Sequence, residues 1–221
     1  MLKKVCGMCE AANIRAVEAL GVDWLGFIFW PKSSRYVSVM PDYLPVRAKR
    51  VGVFVDETVA NVKAKAEAYR LDLIQLHGQE SSDYLRTLRK ALDETNSQAA
   101  TPALIKAFPI ATAADLAACA DYEGVADYFL FDTHAALPGG NGRQFDWSVL
   151  ADYDGTTPFL LSGGIGPDDS NRVRTFHHPR CIGIDLNSRF ELSPGVKDVE
   201  ALHKFLNQTD NEQNQHSIRP A

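Results

Sequence analysis

The chain has 221 residues, of which 45% are hydrophobic, and it carries a formal net charge of −5 with a pI near 5.7. A chain of this length buries a large core, either as one barrel or as two smaller domains. The acidic balance and the lack of a basic stripe argue against a binder of nucleic acids or anionic membranes, while local anion sites stay open. Four cysteines are too few for a disulfide scaffold.

The N-terminal segment MLKKVCG lacks the apolar core of a signal peptide, and no apolar stretch approaches the roughly 20 residues that span a bilayer. We therefore expect a cytoplasmic protein whose cysteines stay reduced. Cys6 and Cys9 are three residues apart where the first apolar run gives way to a helical pattern. This spacing alone is compatible with a redox pair, half a metal site or one reactive thiol, although Cys119 and Cys181 do not form a second pair to complete a zinc site.

Eight short runs rich in β-branched and aromatic residues predict strands along the chain. Several, such as WLGFIF and VGVFV, are almost continuously apolar, which is typical of strands buried on both faces. The predicted strands are Lys3 to Cys6, Trp24 to Phe29, Val51 to Val55, Leu73 to Leu76, Leu104 to Phe108, Tyr128 to Phe131, Phe159 to Leu161 and Cys181 to Leu186.

Helical spacing connects most of these strands, while the second and sixth connections are less regular. Gly21 fits a helix stop, and the Pro-Asp-Asp that follows Gly166 fits a helix start. The predicted helices are Glu10 to Leu20, Thr58 to Tyr69, Asp83 to Leu92, Ala113 to Ala120, Asp168 to Phe176 and Val196 to Leu206.

Strand ends recur at roughly 21 to 32 residues, the length of one strand-plus-helix unit. Eight such units predict an α/β protein with a single (β/α)₈ TIM barrel over residues 1–207. A doubly wound open sheet is the alternative, but the first strand runs into Cys6-Gly-Met-Cys9 and not into a G-x-G-x-x-G turn. Residues 208–221 are polar and aperiodic, which predicts a disordered C-terminal tail.

In such a barrel the active site lies at the C-terminal ends of the strands. Glycine-rich segments follow the sixth strand (residues 138–142) and the seventh (162–166), and Asp185-Leu-Asn-Ser188 follows the eighth. Glycine lets backbone N–H groups surround an anion, so these loops predict a phosphate site, unless the glycines only shape turns. The polar residues at strand ends are Cys6, Lys32 to Tyr36, Asp56, His77, Asp132, Ser162 and Asp185.

Six segments occur in order at the ends of the predicted strands: VCGM (5–8), GFIFWPKSSRYV (26–37), QLHG (75–78), FDT (131–133), GGNGRQFDW (139–147) and LSGGI (161–165). Together they resemble the phosphoribosylanthranilate isomerase family of tryptophan biosynthesis, over residues 2–206. The resemblance implies an Amadori rearrangement of N-(5-phosphoribosyl)anthranilate to 1-(2-carboxyphenylamino)-1-deoxyribulose 5-phosphate, with no cofactor or metal. It implies a small-molecule substrate and neither a nucleic-acid nor a membrane partner, and leaves monomer and homodimer open.

The resemblance implies that Cys6 is the general base, which removes the C2 proton, and that Asp132 is the general acid, which protonates the furanose oxygen. A free thiol titrates near pH 8.5 and an aspartate near 3.9. We therefore expect Cys6 to ionise more readily than a free cysteine, helped by positive potential nearby. We also expect burial or neighbouring anions to raise the pKa of Asp132.

The resemblance also implies that Arg35 binds the anthranilate carboxylate, for which its planar fork is suited. His77 and Asp185 are implied to line the anthranilate and ribose parts of the pocket. The phosphate is implied to be held by backbone N–H groups around Gly140, Gly142, Gly163, Gly164, Asn187 and Ser188.

Two positions depart from the family pattern, because Arg189 stands where a glycine is common and Cys9 where threonine or another polar residue is common. Three other interpretations stay open from the residues. One is another phosphate-binding barrel enzyme of a related sugar-phosphate pathway. The second is a thiol–disulfide exchanger in which Cys6 and Cys9 both react. The third is a ligand-binding barrel without catalysis.

Overall fold

The computed structural model describes residues 1–94, 100–132 and 146–210. Eight parallel strands pair in chain order, and β8 pairs with β1 to close a barrel, which confirms the predicted (β/α)₈ fold. The strands are β1 (Leu2–Val5), β2 (Trp24–Ile28), β3 (Lys49–Phe54), β4 (Leu73–Leu76), β5 (Ala103–Pro109), β6 (Tyr128–Asp132), β7 (Phe159–Ser162) and β8 (Cys181–Leu186).

Five α-helices and several 3₁₀-helices connect the strands in the described ranges. Thr58 and Ser81 cap α2 and α3 by accepting hydrogen bonds from backbone N–H groups of the first turn. The α-helices are α1 (Ala11–Glu18), α2 (Val59–Tyr69), α3 (Ser82–Asp93), α4 (Ser170–Thr175) and α5 (Val199–Asp210). The 3₁₀-helices are Ala113–Tyr122, Trp147–Asp152, Pro167–Asp169 and Ser188–Phe190. Among the described residues, no helix combines the length and apolar character that crossing a bilayer requires.

Alternate residues of each strand face the barrel interior and the surrounding helices, as the pleat requires. Val51 and Val53, for example, belong to the interior cluster, while Phe54 packs outward in the larger cluster between strands and helices. The interior cluster fills the centre of the barrel with buried side chains, so the barrel is a packed core and not a pore. It contains Cys6, Trp24, Val51, Val53, Leu73, Ile105, Ala107, Leu130 and Leu160.

Three predicted segments differ in the structure. The segment predicted as the helix Ala113 to Ala120 is the 3₁₀-helix Ala113–Tyr122, which a Thr112–Asp115 capping box begins. The helix predicted from Val196 begins at Val199, because the chain turns at Gly195 (φ 87°) and forms a hairpin of β9 (Glu191–Ser193) and β10 (Val196–Lys197).

The boundary of the predicted C-terminal tail also needs correction. The helix α5 continues to Asp210, so residues 208–210 are helical and not part of a tail. Thr209 is buried, and Asp210 forms an ion pair with Lys3 of β1, which ties the end of this helix to the barrel. Residues 211–221, the remainder of the predicted tail, lie outside the described residues.

Candidate active site

Cys6 lies at the C-terminal mouth of the barrel, directly after β1. It is 3% exposed, and its backbone N–H donates to the Leu186 carbonyl at 2.9 Å, which continues the pairing of β1 with β8. Gly26 of β2 gives the sulfur its space, because a Cβ at that position would lie 2.8 Å from Cys6 Sγ. The thiol is thus fixed at the edge of the interior cluster, where the packed core meets the mouth.

A series of polar side chains links β1 to β6 through the intervening strands. Lys4, two residues before Cys6, places its Nζ 2.9 Å from Asp185 Oδ1 on β8. Ser162 at the end of β7 donates from Oγ to Asp185 Oδ2 at 3.5 Å. Ser162 is in turn the register partner of Asp132 at the end of β6. One side of the barrel mouth is therefore polar from Cys6 to Asp132.

The pKa of the Cys6 thiol differs from the expectation, although the charged groups around it do not. Burial raises the pKa of the Cys6 thiol, and the Asp185 carboxylate adds to this, whereas the ammonium groups of Lys4 and Lys197 oppose it. The expected positive groups are therefore beside the thiol. The prediction that this thiol ionises more readily than a free cysteine is nevertheless wrong for this structure, because burial has the larger effect.

His77 lies beside Asp132, as expected for two residues of one site. Its Nε2 is 3.6 Å from Asp132 Oδ2, and its Nδ1 is 2.8 Å from the amide nitrogen of Gln75, a buried residue of β4. Because the amide donates to Nδ1, the proton of a neutral His77 ring stands on Nε2 and faces Asp132. Gln75 was not among the expected site residues, although a polar residue within an apolar strand was a usable signal.

Arg35 is bound by a carboxylate of the protein itself. Its Nε donates to Glu191 Oε1 at 2.8 Å and its Nη2 to Glu191 Oε2 at 2.6 Å, while Lys197 Nζ donates to Glu191 Oε1 at 2.6 Å. Burial acts to raise the pKa of Glu191, but the hydrogen bonds from Arg35 and Lys197 outweigh it and lower that pKa. Glu191 is therefore ionised at neutral pH and holds one edge of the guanidinium.

Gly7 brings Arg35 next to Cys6. It adopts φ 78°, in the left-handed region, and a Cβ there would lie 2.7 Å from Arg35 Cδ and 2.8 Å from Asn187 Oδ1. Any larger residue at this position would be strained and would displace both side chains. Arg35 and Asn187 therefore both pack against the backbone directly after Cys6.

The loop after β7 has glycine conformations of the kind expected where backbone N–H groups surround an anion. Gly163 and Gly164 adopt φ values of 100° and 69°, which favour glycine, while Asn187 and Ser188 follow β8. Arg189 lies against the loop after β7, since a Cβ at Gly166 would be 3.2 Å from Arg189 Nε. The arginine that departs from the family pattern therefore adds positive charge beside the loop. Gly140 and Gly142 lie outside the described residues.

Cys9 lies outside the barrel interior that contains Cys6. Its half-buried Sγ donates to the Arg35 carbonyl at 3.4 Å and fits against Gly195 of the hairpin, where a Cβ would lie 2.8 Å away. Both cysteines are free thiols. Within residues 1–94, 100–132 and 146–210, no group of three or more His, Cys, Asp or Glu side chains is arranged to hold a metal ion.

Comparison with known proteins agrees with this geometry. A family model described as N-(5'phosphoribosyl)anthranilate (PRA) isomerase matches residues 3–208. N-(5'-phosphoribosyl)anthranilate isomerase of Parabacteroides distasonis is 49% identical over 214 residues, which cover 94% of this chain and 93% of that protein.

Two solved structures are also similar. The phosphoribosyl anthranilate isomerase of Thermotoga maritima superposes with a TM-score of 0.80 and 28% identity, over 96% of this chain and 99% of that one. An isomerase of the same name, in complex with reduced 1-(o-carboxyphenylamino)-1-deoxyribulose 5-phosphate, gives a TM-score of 0.77 and 27% identity, over 96% and 100%. The chain therefore belongs to the phosphoribosylanthranilate isomerase family of tryptophan biosynthesis.

Proposed function

We propose that this protein isomerises N-(5-phosphoribosyl)anthranilate to 1-(2-carboxyphenylamino)-1-deoxyribulose 5-phosphate, with Cys6 as the general base and Asp132 as the general acid. The observation that carries these assignments is the placement of a thiol and a carboxylate at the ends of β1 and β6, on the same mouth of one barrel. Membership of the family supports the reaction itself.

The first step needs an acid at the furanose ring oxygen. Asp132 gives its proton to this oxygen, the C1–O bond breaks, and the lone pair of the anilino nitrogen forms an iminium with C1. Asp132 must therefore be protonated when the substrate binds. The Nε2–H of His77 faces the carboxylate that remains after transfer and is placed to stabilise it.

The second step needs a base at C2. The Cys6 thiolate removes the C2 proton, and the electron pair of the C–H bond moves toward the iminium to form an enolamine. Delivery of a proton to C1 and loss of the enol proton then give the aminoketose. The iminium is a positive charge near the thiol, so it favours the thiolate at the moment when the thiolate is needed.

The anionic ends of the substrate match two positive regions of the mouth. Glu191 occupies the Nε and Nη2 edge of Arg35, which orients the guanidinium and leaves the edge between Nη1 and Nη2 for the anthranilate carboxylate. The N–H groups around Gly163, Gly164 and Ser188, with Arg189 beside them, suit the phosphate. The product analogue bound by a structurally similar isomerase carries both of these anions.

Replacing Glu191 with glutamine should raise KM for the substrate and change kcat less. The variant keeps the shape of the side chain but loses the charge that fixes Arg35, and a hydrogen bond to a charged group is worth about 1.5–3 kcal/mol. We therefore expect KM to rise roughly 10- to 100-fold, as measured by steady-state kinetics.

Glu18→Gln is the matched control, because Glu18 is also a buried carboxylate but binds the N–H groups of Val46, Arg47 and Ala48. These residues precede β3, at the opposite end of the barrel from the mouth. This variant should lose stability and retain KM. An unchanged or lowered KM in Glu191→Gln would show that Glu191 does not position Arg35.

The proposed activity is tested by steady-state turnover of freshly generated N-(5-phosphoribosyl)anthranilate with the wild-type protein. The thiol–disulfide alternative predicts reduction of insulin disulfides that needs both Cys6 and Cys9, and a ligand-binding barrel predicts binding without turnover. Because the substrate is a phosphorylated metabolite, which does not cross a bilayer unaided, we also propose a cytoplasmic location.

A further inference from the structure

Lys4 is an unusual residue for the interior of a barrel. Its side chain is fully buried, and its ammonium group is 2.9 Å from the carboxylate of Asp185, which is itself buried. Desolvation of two charges costs several kcal/mol, and apolar residues of similar volume often give equal or greater stability. The pair is therefore poorly explained as a device for stability.

The location of Lys4 suggests another reason. Lys4 and Cys6 are two residues apart on an extended segment, so both side chains point to the same interior face. Lys4 is the register partner of Asp185 on β8. The ion pair therefore lies one layer deeper in the barrel than Cys6, which follows β1. The positive charge of the Lys4 ammonium group acts on the Cys6 thiol and opposes the rise in its pKa that burial causes.

We infer that Lys4 is a positioning residue for the reaction: Asp185 holds its ammonium group beneath Cys6, where the positive charge stabilises the thiolate that removes the C2 proton. This inference rests on the proposed role of Cys6 as the base. Lys4 does not reach the substrate in this arrangement and acts through the thiol. Asp185 fixes the place of this ammonium group as its hydrogen-bond acceptor, which an asparagine oxygen would also provide, whereas the negative charge of Asp185 opposes the thiolate.

Within the described part of the chain, charged groups from several elements act on Cys6 electrostatically. Lys4 of β1, Lys197 of β10 and Arg35 of the β2–β3 connection favour the thiolate, whereas Asp185 of β8 disfavours it. The two partners of the buried pair thus act on Cys6 with opposite signs. Removing one or the other should shift the titration of the thiol in opposite directions, which general damage to the fold does not do.

The test is the rate of alkylation of Cys6 by iodoacetamide as a function of pH, measured by mass spectrometry of the peptide that contains Cys6 in a Cys9→Ser background. In Lys4→Met the midpoint should rise by about one pH unit or more, which slows alkylation near neutral pH about tenfold. In Asp185→Asn the midpoint should fall. Lys4→Arg, which restores a positive charge, should return the midpoint toward that of the wild type.

Lys106→Met is the matched control, because Lys106 is also a buried lysine in an ion pair, with Glu80 at 2.9 Å, but it lies on β5. Its loss should leave the Cys6 midpoint unchanged. If Lys4→Met titrates like the wild type, or if Lys4→Met and Asp185→Asn shift in the same direction, the inference is wrong. If Lys4→Met does not fold, an unchanged or raised midpoint in Asp185→Asn overturns it.

Alkylation needs no substrate, so this result is independent of the proposed function. Retained turnover in Cys6→Ser would overturn the assignment of Cys6 as the base, whatever the alkylation midpoints are. An unchanged midpoint in Lys4→Met would overturn the role of Lys4 even if Cys6→Ser is inactive. A kcat that falls in Lys4→Met and recovers in Lys4→Arg would connect the role of Lys4 with the role of Cys6 as the base.

Discussion

Replacing Cys6 with serine should lower kcat by about 10²- to 10⁴-fold, the usual contribution of one positioned acid or base. A serine hydroxyl is a far weaker acid than a thiol, so almost none of it is ionised in the range where the thiolate forms. Serine is also slightly smaller than cysteine, and Gly26 already leaves room for the larger sulfur atom. The fold and KM should therefore change little, and steady-state kinetics with thermal unfolding separate the two effects.

Cys9→Ser is the control for this variant. Serine at position 9 keeps a donor for the Arg35 carbonyl, which Cys9 Sγ contacts at 3.4 Å, and the position faces the hairpin and not the barrel interior. We expect kcat near the wild-type value. If Cys9→Ser loses as much activity as Cys6→Ser, the account of a single base is wrong and a function that needs both thiols is favoured.

Replacing Asp132 with asparagine should lower kcat by a similar factor of about 10² to 10⁴, for a different reason. The amide has nearly the shape of the protonated carboxyl group but does not transfer a proton to the ring oxygen, so ring opening becomes slow. The side chain lies at the end of β6, where His77 Nε2 is 3.6 Å away, and substrate binding should be retained. The measurement is kcat and KM under steady-state conditions.

Asp127→Asn provides the matched control at the opposite end of the same strand. Asp127 precedes β6 and accepts a hydrogen bond from the Leu104 N–H at 2.7 Å, so its loss should affect stability and leave kcat near the wild-type value. An Asp132→Asn variant with wild-type kcat would remove Asp132 from the mechanism. Equal loss of kcat in both aspartate variants would show that the effect comes from the strand and not from the acid.

The architecture was predictable because each strand has a local sequence signal. The boundaries of the predicted and observed strands differ by at most two residues, and β4 and β8 agree at both ends. Buried parallel strands are continuously apolar, and the polar residues that end them at one mouth are visible as interruptions. Cys6, His77 and Asp132 were found in this way, together with the family resemblance.

The hairpin of β9 and β10 and the contacts of its residues were not predictable from local patterns. Glu191 reaches Arg35, 156 positions away in sequence, and both Glu191 and Lys197 are buried only because the hairpin folds over the mouth. From the sequence, Lys197 was assigned to the helix predicted from Val196, and no strand was predicted before it. The position of Lys4 beside Cys6 was easier to predict, because the two residues share one face of the first strand.

The behaviour of the thiol also depends on tertiary structure. Positive groups beside Cys6 were expected, but the extent of burial was not, and burial raises the pKa of the thiol against their influence. A sequence shows which residues lie near a strand end, whereas desolvation depends on every element packed there. This is why the residues of the site were easier to predict than their titration.

The central claim is that Cys6 is the general base and Asp132 the general acid. A kinetic isotope effect with substrate deuterated at C2 tests it most directly. In Cys6→Ser, removal of the C2 proton should limit the rate, so kcat should show a large primary isotope effect. In Asp132→Asn, ring opening should limit the rate, so the effect should be close to unity. Equal isotope effects in the two variants, or a large effect only in Asp132→Asn, would contradict the assignment.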